Sequence, residues 1–441
     1  MKKFLSIIMA ISMITLGGCT KNDEQIGTLK IYVDGTGFQE TNLLMSAFEE
    51  KYPNIQVEIE VFPEVQINYD SNYMPSVDTD SLAEREAVLQ QHRTALMAGS
   101  SDADLYIIGG GSSQFHEFNG GALVQDPYDL MHNGVLGNLS EVLEWIDTSA
   151  YLPSVFQEGQ TDGMQYFVPL RVNCPTLLIN KEGNIPFEAV ETRKELLELL
   201  SKTYVQELGN LSGICNLPVT SLSYPVVNRQ EKQIFLFDDT YTTAFSEAKS
   251  LSALRSQYIT EGGYYADMLN RGDTLLSSMS NPLMALASAN SDLSRYNAHA
   301  NLACVPMLNE KDGITVEVAL YAFSPASGQN TKEASIFLSW LLSEEVQNGT
   351  IPIFSPIVSY PMKKGCAENQ LKRMGDFALE YVGDSAIESL NELESNVTDA
   401  KYAGYYDYEL ILLLQKWQEE TVELDTALEE LYHDWVLYLD E

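Results

Sequence analysis

Two short glycine-containing segments in the N-terminal third of the sequence have residue types that could hold a small polar ligand. One follows the apolar run Leu29 to Val33, and the other follows Leu105 to Ile108. Glycine lets the backbone approach a ligand closely. The second segment has neither the Gly-Lys-Ser/Thr ending of a phosphate loop nor GxGxxG spacing, so a tight turn and a ligand contact both stay open. The candidate ligand contacts in the two segments are Gly35, Thr36, Gly37, Phe38, Gly110, Gly111 and Ser112.

The sequence lacks the patterns that mark common catalytic and metal sites. It contains no GxSxG, no HExxH and no CxxC pair, and its five histidines are scattered. We therefore predict a protein that is not an enzyme and that needs no cofactor or metal. One alternative stays open, because the 63 acidic residues could include the two carboxylates of a surface glycosidase.

Four cysteines in the body of the chain are widely spaced. In a secreted protein they could form two disulfides, paired in one of three ways, or they could be buried free thiols. The sequence does not choose between these outcomes. The four residues are Cys174, Cys215, Cys304 and Cys366.

Hydrophobic periodicity indicates the elements that would position the first ligand segment. Leu29 to Val33 is rich in β-branched and aromatic residues, as in a buried strand. From Thr41, apolar residues recur at helical spacing until Pro53 ends the helix. Residues 55–61 then alternate between apolar and polar types, as in a strand with one exposed face. The result is a parallel βαβ unit of an α/β fold, in which ligands bind at the carboxyl ends of the strands.

The N-terminus looks like a bacterial lipoprotein signal. Lys2 and Lys3 precede an apolar run that is too short to span a membrane comfortably, and the run ends in Leu-Gly-Gly before Cys19. We predict that residues 1–18 are a signal peptide, that Cys19 becomes the lipidated (palmitate-bearing) N-terminus and that residues 19–27 are a tether. The protein would then lie on the extracytoplasmic face of the cell membrane. An ordinary secretory signal with a chance cysteine is the alternative.

The chain of 441 residues has a formal net charge of −37. Loss of the two lysines with the signal would make the mature protein more acidic still. Such a surface repels nucleic acid and anionic lipid headgroups. We therefore expect no nucleic-acid partner and no membrane contact beyond the anchor, although a local cleft could still accept an anion.

A segment in the middle of the chain, Pro-Leu-Arg-Val-Asn-Cys-Pro, lies between two apolar runs. Its prolines at 169 and 175 exclude a helix, so it should be an extended crossing segment. Arg171 lies within it. A guanidinium there could donate to a ligand in a cleft, or it could hold two parts of the protein together.

Several stretches, in their order along the chain, resemble the extracellular solute-binding proteins of ATP-driven (ABC) importers, in particular the family 1 group that takes up sugars and oligosaccharides. They are EEKYPNIQVE, ALMAGSSDADLYII, DGMQYFVPLRVNCPTLLINK and the apolar helix at 332–347. The resemblance covers nearly all of residues 16–441, and its specificity lies in the order of the motifs rather than in any one of them.

The resemblance implies a two-lobed, periplasmic-binding-protein-like α/β fold, with a ligand cleft between lobes that are joined by crossing strands. The first lobe would comprise residues 28–170 and 314–352. The second would comprise 171–313 and 353–441. Closure would be a hinge motion in which a bound ligand bridges both lobes and selects the closed state.

The resemblance also implies ligand-binding positions. The family often has a Trp beside the proline of its small-residue strand, but the matching text here is Ser-Asn-Pro-Leu-Met with no aromatic residue. The tyrosines at the start of a late helix could serve instead as platforms for a sugar, with Tyr406 as the first candidate. The expected ligand contacts from these segments are Arg171, Asn281, Tyr321, Tyr405 and Tyr406.

The function that the resemblance implies is capture of a sugar or oligosaccharide by a monomeric, lipid-anchored protein that delivers it to ABC permease subunits. Three alternatives stay open: a peptide or small anion as ligand, presentation of the ligand to a sensor rather than to a permease, and the glycosidase described above. The sequence does not name the ligand.

Replacing Cys19 by Ser tests the anchor. Because lipidation requires the cysteine, the variant should appear in the medium or stay uncleaved, as measured by fractionation and N-terminal mass. Full membrane retention of a cleaved variant would contradict the lipoprotein prediction.

Overall fold

The computed structural model describes residues 27–34, 41–69, 75–109, 121–185, 190–206, 214–255, 265–356, 358–374 and 380–440. The predicted βαβ unit is confirmed. Strands Gly27–Val33 and Ile55–Val61 pair in parallel over their whole length, and helix Thr41–Lys51 lies between them in the chain. Leu44 and Phe48 on that helix are buried, as the helical spacing of apolar residues requires.

Sixteen strands are present in the described chain. In order they are β1 Gly27–Val33, β2 Ile55–Val61, β3 Ile67–Tyr69, β4 Pro75–Val77, β5 Leu105–Gly109, β6 Gln160–Thr161, β7 Met164–Gln165, β8 Phe167–Asn173, β9 Thr176–Asn180, β10 Val227–Asn228, β11 Gln233–Ile234, β12 Leu275–Met279, β13 Leu302–Pro306, β14 Ile314–Phe323, β15 Tyr360–Pro361 and β16 Val397–Lys401.

Fifteen α-helices accompany them in the same described ranges. They are α1 Thr41–Lys51, α2 Thr79–Met97, α3 Pro127–His132, α4 Glu141–Glu144, α5 Arg193–Gln206, α6 Leu217–Thr220, α7 Asp239–Arg255, α8 Tyr265–Arg271, α9 Pro282–Tyr296, α10 Thr331–Leu341, α11 Glu344–Gln347, α12 Cys366–Arg373, α13 Ser385–Asn396, α14 Tyr405–Gln418 and α15 Leu424–Asp440.

Two sheets organise these elements, which confirms the α/β fold class. The large mixed sheet has the order β15-β8-β14-β5-β1-β2, and β16 pairs with the first residues of β14. The small sheet has the order β12-β9-β13 and is antiparallel. Strands β8 and β9 belong to different sheets, so the segment that contains Arg171 leads from one sheet to the other, as expected.

The chain passes between the two sheets through short segments without helix. The first is Cys174-Pro175, between β8 and β9, where proline lacks a backbone donor and restricts the preceding residue to extended conformations. Residues 307–313, between β13 and β14, form the second passage. Strand β16 lies in the large sheet, whereas the sequence analysis placed its residues in the second lobe. The lobe boundaries stay a prediction.

An aromatic core cluster lies on one face of the large sheet. Its rings stack, tilt or meet edge to face at centroid distances of 5.0 to 6.5 Å, for example Tyr106 on Phe323 and Phe167 on Tyr321. Buried aromatic side chains each remove about 150–250 Å² from water, so this cluster stabilises the sheet strongly. The aromatic cluster includes Tyr32, Phe62, Tyr106, Phe167, Tyr321, Phe323 and Tyr402.

The last two helices belong to a separate core, the C-terminal cluster. Leu424, Leu428 and Trp435 form the buried stripe of α15, as their spacing in the sequence predicts. They pack with residues of α6, α7 and α14, among them Val219, Tyr241, Phe245, Tyr406 and Leu410.

The four cysteines are all buried free thiols, which decides between the two outcomes left open by the sequence. Burial raises the pKa of the Cys366 thiol to about 11, so it is protonated at neutral pH. Among the described helices, none is both long and apolar enough to cross a membrane.

Candidate functional site

The carboxyl edge of the large sheet is where the predicted ligand segments begin. Strands β1 and β5 are parallel neighbours, so Asp34, which follows β1, and Gly109, which ends β5, lie at the same edge. The segments themselves lie outside the described residues and stay predictions, as does the lipidation site. The residues concerned are Cys19, Gly35, Thr36, Gly37, Phe38, Gly110, Gly111 and Ser112.

A buried ion pair fixes the base of this edge. Arg85 on α2 donates from Nη2 to Asp34 Oδ2 at 2.8 Å, and both side chains are almost fully buried. The same guanidinium donates to the carbonyls of Pro63 at 2.9 Å and Gly121 at 3.4 Å. Arg85 therefore binds together three segments that leave the carboxyl edge. Such a pair is costly to break, because removal of one partner leaves a buried charge.

Tyr321 lies on β14 and is part of the aromatic cluster. Its ring is 1% exposed and meets Phe167 and Tyr402 edge to face, at 5.0 and 5.1 Å. Burial raises the pKa of its hydroxyl, and the charges of Asp34 and Asp126 raise it further. The hydroxyl makes no hydrogen bond within the described chain. Only this hydroxyl, not the ring, could contact a ligand.

The two candidate tyrosines at the start of α14 differ in their surroundings. Tyr406 is 8% exposed and packs edge to face on Trp435 at 5.3 Å, so its ring belongs to the C-terminal cluster. Tyr405 is 39% exposed, and its hydroxyl donates to Glu409 Oε1 at 2.6 Å. The ring that can be a platform is therefore Tyr405, and the expectation that Tyr406 is the main platform is not supported by its burial.

The start of α14 is a joint between distant parts of the chain. The backbone N–H of Tyr405 donates to Gln125 O at 2.8 Å. Asp407 accepts from the N–H of Gly404 at 3.0 Å and from that of Val226 at 3.1 Å. A Cβ at Gly404 would lie 3.2 Å from Gln125 O, so a glycine permits this close approach.

Asp126, which follows Gln125 at this joint, was not among the sequence candidates. It accepts from the N–H of Asp129 at 3.0 Å and caps α3, and it forms no ion pair with a described residue. Burial raises the pKa of its carboxyl to about 6; the charges of Asp129 and Asp407 also raise it, and that of Arg229 lowers it. An aspartate before a proline is typical of a helix N-terminus, and the cap explains its residue type.

Arg171 does not face an open cleft. It is fully buried and donates from Nε to Ser359 Oγ at 3.2 Å, and from Nη2 to Ser359 O and to Gln370 Oε1, the latter at 2.9 Å. Gln370 in turn donates to Gln347 O, and Gln347 donates to Leu170 O at 3.2 Å. No carboxylate in the described chain pairs with Arg171, and burial lowers the pKa of its guanidinium to about 9. The geometry favours the second role weighed above, holding parts of the protein together, over ligand binding.

Two asparagines near the crossing segments have different roles. Asn281 is 2% exposed; it caps α9 by accepting from Leu283 N at 3.0 Å and donates to Pro356 O at 3.0 Å, so its amide serves the structure. Asn173, at the end of β8, has a buried Oδ1 that accepts no hydrogen bond from the described residues. A buried acceptor without a partner is costly, so Asn173 joins the candidates. Its only signal in the sequence was its place between the two prolines.

A cavity of about 1130 Å³ lies elsewhere, between α5 and α7. Its buried charge is compensated, since Arg193 pairs with Glu247 at 2.6 Å and donates to Leu308 O at 2.7 Å. Size alone does not make this groove a site.

Solved structures with the same architecture were found by comparison of the coordinates. The sugar-binding protein MalE from Xanthomonas citri superposes with a TM-score of 0.61 at 13% identity, over 94% of this chain and 97% of that chain. A family 1 extracellular solute-binding protein from Alicyclobacillus acidocaldarius gives 0.57 at 14% identity, over 95% and 100%. The fold is that of the extracellular solute-binding proteins.

A third structure of this fold is the galacto-N-biose-/lacto-N-biose I-binding protein of a Bifidobacterium longum ABC transporter, in complex with lacto-N-biose. It gives a TM-score of 0.58 at 12% identity, over 95% of this chain and 99% of that chain. No protein-family model and no curated protein match the sequence. The comparisons establish the solute-binding-protein fold and leave the ligand open.

Replacing Arg171 by Lys should lower the free energy of unfolding by about 2–4 kcal/mol. An ammonium keeps the charge, but unlike the planar guanidinium it cannot bond to Ser359 and Gln370 at the same time. Urea unfolding of the variant measures this, with Arg295→Lys on the exposed end of α9 as control. Unchanged stability together with weaker ligand binding would assign Arg171 to the ligand site instead.

Replacing Asp126 by Asn should stabilise the protein at neutral pH. The pKa of Asp126 is higher in the folded chain, about 6, than in the unfolded chain, about 3.9. The folded state therefore binds more protons between these values, and wild-type stability falls as pH rises from about 4 to 6 and then levels off.

Asparagine keeps the helix cap and removes this penalty. We expect the variant to be about 1–2 kcal/mol more stable than the wild type at pH 7.5, and equal to it below pH 4. Urea unfolding across this range is the measurement, with the exposed Asp425→Asn as control. A constant difference at all pH values would show that Asp126 does not titrate in this way.

Proposed function

We propose that this chain is an extracytoplasmic solute-binding protein, anchored by lipid at Cys19, that captures a sugar or oligosaccharide between two lobes and delivers it to an ABC permease. The observation that carries the proposal is the presence of polar side-chain atoms without hydrogen-bond partners among the described residues, near the carboxyl edge and the first crossing segment. Asn173 Oδ1 is buried and lacks such a partner. In a ligand site such groups are satisfied by the ligand.

A saccharide suits this chemistry. Its hydroxyls both donate and accept, so they can pair with an amide oxygen, a phenol and a carboxylate in one site. Its face of C–H groups needs an aromatic surface, and Tyr405 offers an exposed ring beside the joint. Two of the solved structures of this fold are named as sugar- or lacto-N-biose-binding proteins, which supports the same ligand class here.

Hinge closure follows from the chain path. Because β8 leads into β9 and β13 leads into β14, the two sheets are joined by short non-helical segments, which in the proposal bend without unfolding either sheet. A ligand that contacts both lobes would select the closed state. In the proposal, the two lobes move against each other. The first lobe comprises residues 28–170 and 314–352, and the second comprises residues 171–313 and 353–441. The protein acts as a monomer and catalyses no reaction.

A ligand screen on the mature chain from Cys19 onward tests the proposal. The panel is maltotriose, mannotriose, lacto-N-biose, a neutral tripeptide and citrate. A ligand at 100 times its dissociation constant adds about 2.7 kcal/mol, which should raise the melting temperature by about 3 °C for a chain of this length. Small-angle scattering should then show a smaller radius of gyration with the same ligand.

The outcomes separate the alternatives. Stabilisation and compaction by one saccharide support the proposal. A response to the tripeptide or citrate alone would replace the ligand class and keep the binding role. Hydrolysis of a saccharide in the same samples would point to the glycosidase. A companion test of delivery measures uptake of the labelled saccharide by cells that carry the wild-type protein and by cells that carry the Cys19→Ser variant instead.

A further inference from the structure

One short segment of the chain lies between two separate cores. Residues 397–402, the strap, comprise strand β16 and Tyr402. Tyr402 is fully buried in the aromatic cluster of the large sheet. Helix α14 begins only three residues later and packs in the C-terminal cluster. The strap therefore leads the chain from the first of these cores to the second.

The strap is fixed to the large sheet by contacts of several kinds. Strand β16 pairs in parallel with the first residues of β14, and Thr398 O accepts from Ser154 Oγ at 2.8 Å. The backbone N–H of Tyr402 donates to the hydroxyl of Tyr128 at 3.1 Å, and the Tyr402 ring meets Tyr321 edge to face at 5.1 Å. Because all of these contacts have to break before the strap can leave, the strap and the large sheet form one unit.

Lys401 on the strap reaches the other core with its side chain. The residue is 4% exposed, and its Nζ donates to the carbonyls of Thr220 and Leu222 at 2.9 Å each. These carbonyls lie at the end of α6, whose Val219 belongs to the C-terminal cluster together with Leu222. Carbonyls at the end of a helix lack partners within the helix and attract a cation. One buried ammonium thus joins the strap to the C-terminal cluster.

The contact of Lys401 with α6 can open reversibly, because water can replace the carbonyls. A buried ammonium is stabilised only while hydrogen bonds compensate its lost hydration. If α6 moves away, the ammonium and both carbonyls become hydrated, and no buried charge is left unpaired. The net free energy of the contact is then a small difference between hydrogen bonds to carbonyls and hydrogen bonds to water. Such a difference biases two conformations without locking either of them.

We propose that Lys401 is a latch that holds the second lobe against the first in the present arrangement, and that opening of the cleft between the lobes releases it. The inference rests on the two-lobed motion of the proposed function. It assigns the strap to the first lobe rather than to the expected second lobe, while residues 217–222 stay in the second. Lys401 is a positioning residue that acts on the lobes and does not touch the ligand.

Spin labels measure the latch in the ligand-free protein. Met97→Cys at the end of α2 and Leu437→Cys on α15 place one label beside each core, since both native side chains are more than half exposed. In the mature chain with Cys19→Ser, these are the accessible thiols, because the four other cysteines are buried. Double electron–electron resonance then gives the distribution of distances between the two labels.

Replacing Lys401 by Met removes the ammonium and keeps an unbranched side chain. The ratio of longer to shorter label distances should rise by about 10- to 100-fold, as expected for lost hydrogen bonds to a charged group. Lys401→Gln keeps a donor and should give a smaller change in the same direction. Lys249→Met is the matched control, because Lys249 on α7 pairs with Asp425 on α15 at 2.6 Å, within the second lobe. Its distances should match those of the wild type.

The outcomes distinguish failure of the latch from failure of the proposed function. Equal distance distributions in the wild type and both Lys401 variants would overturn the latch and leave the saccharide proposal standing. A change in Lys249→Met as large as that in Lys401→Met would also overturn it. A change confined to the Lys401 variants, in a protein that binds no saccharide of the panel, would support the latch and remove the proposed ligand class. Urea unfolding separates release from loss of folding, and Lys401→Gln decides the question if Lys401→Met does not fold.

Discussion

The buried guanidinium of Arg171, which pairs with no carboxylate among the described residues, joins three parts of the chain beside the first crossing segment. Arg171 on β8 bonds to Ser359, just before β15, and to Gln370 on α12, and Gln347 closes the ring back to Leu170. Burying a charge is costly unless hydrogen bonds compensate it, and Nη1 has no partner among the described residues, so the bonds that remain constrain β8, β15 and α12 relative to one another. In the proposed hinge motion, bending would therefore occur beyond this network, near Pro175 and residues 307–313.

The carboxyl edge combines fixed and unused polar groups. Arg85 spends its donors on Asp34, Pro63 and Gly121, and so sets the positions from which the edge loops leave the sheet. Among the described residues, Arg85 Nε and Asn173 Oδ1 are buried without a hydrogen-bond partner. The base of the edge and the start of the first crossing segment therefore each contain a polar atom that the described chain does not satisfy.

Local pattern was enough to predict the βαβ unit, the buried stripe of α15 and the extended crossing segment, because each depends on residues close in sequence. The site residues depend on contacts between distant segments. Periodicity could not show that Tyr406 packs on Trp435 while Tyr405 stays exposed, or that Arg171 meets Ser359, 188 residues away. Asp126 was missed for the same reason, because its place beside the start of α14 follows only from the packing of segments that are distant in the chain.

The joint at Gly404 holds together parts of the chain that are distant in sequence. Gly404 lets the start of α14 approach Gln125, and Asp407 accepts from the N–H groups of both Gly404 and Val226. Burial raises the pKa of the Asp407 carboxyl, while the charge of Lys401 and these hydrogen bonds lower it. Because the start of α14 and the segments at Gln125 and Val226 meet around this helix start, a side chain at position 404 would disturb all three segments at once.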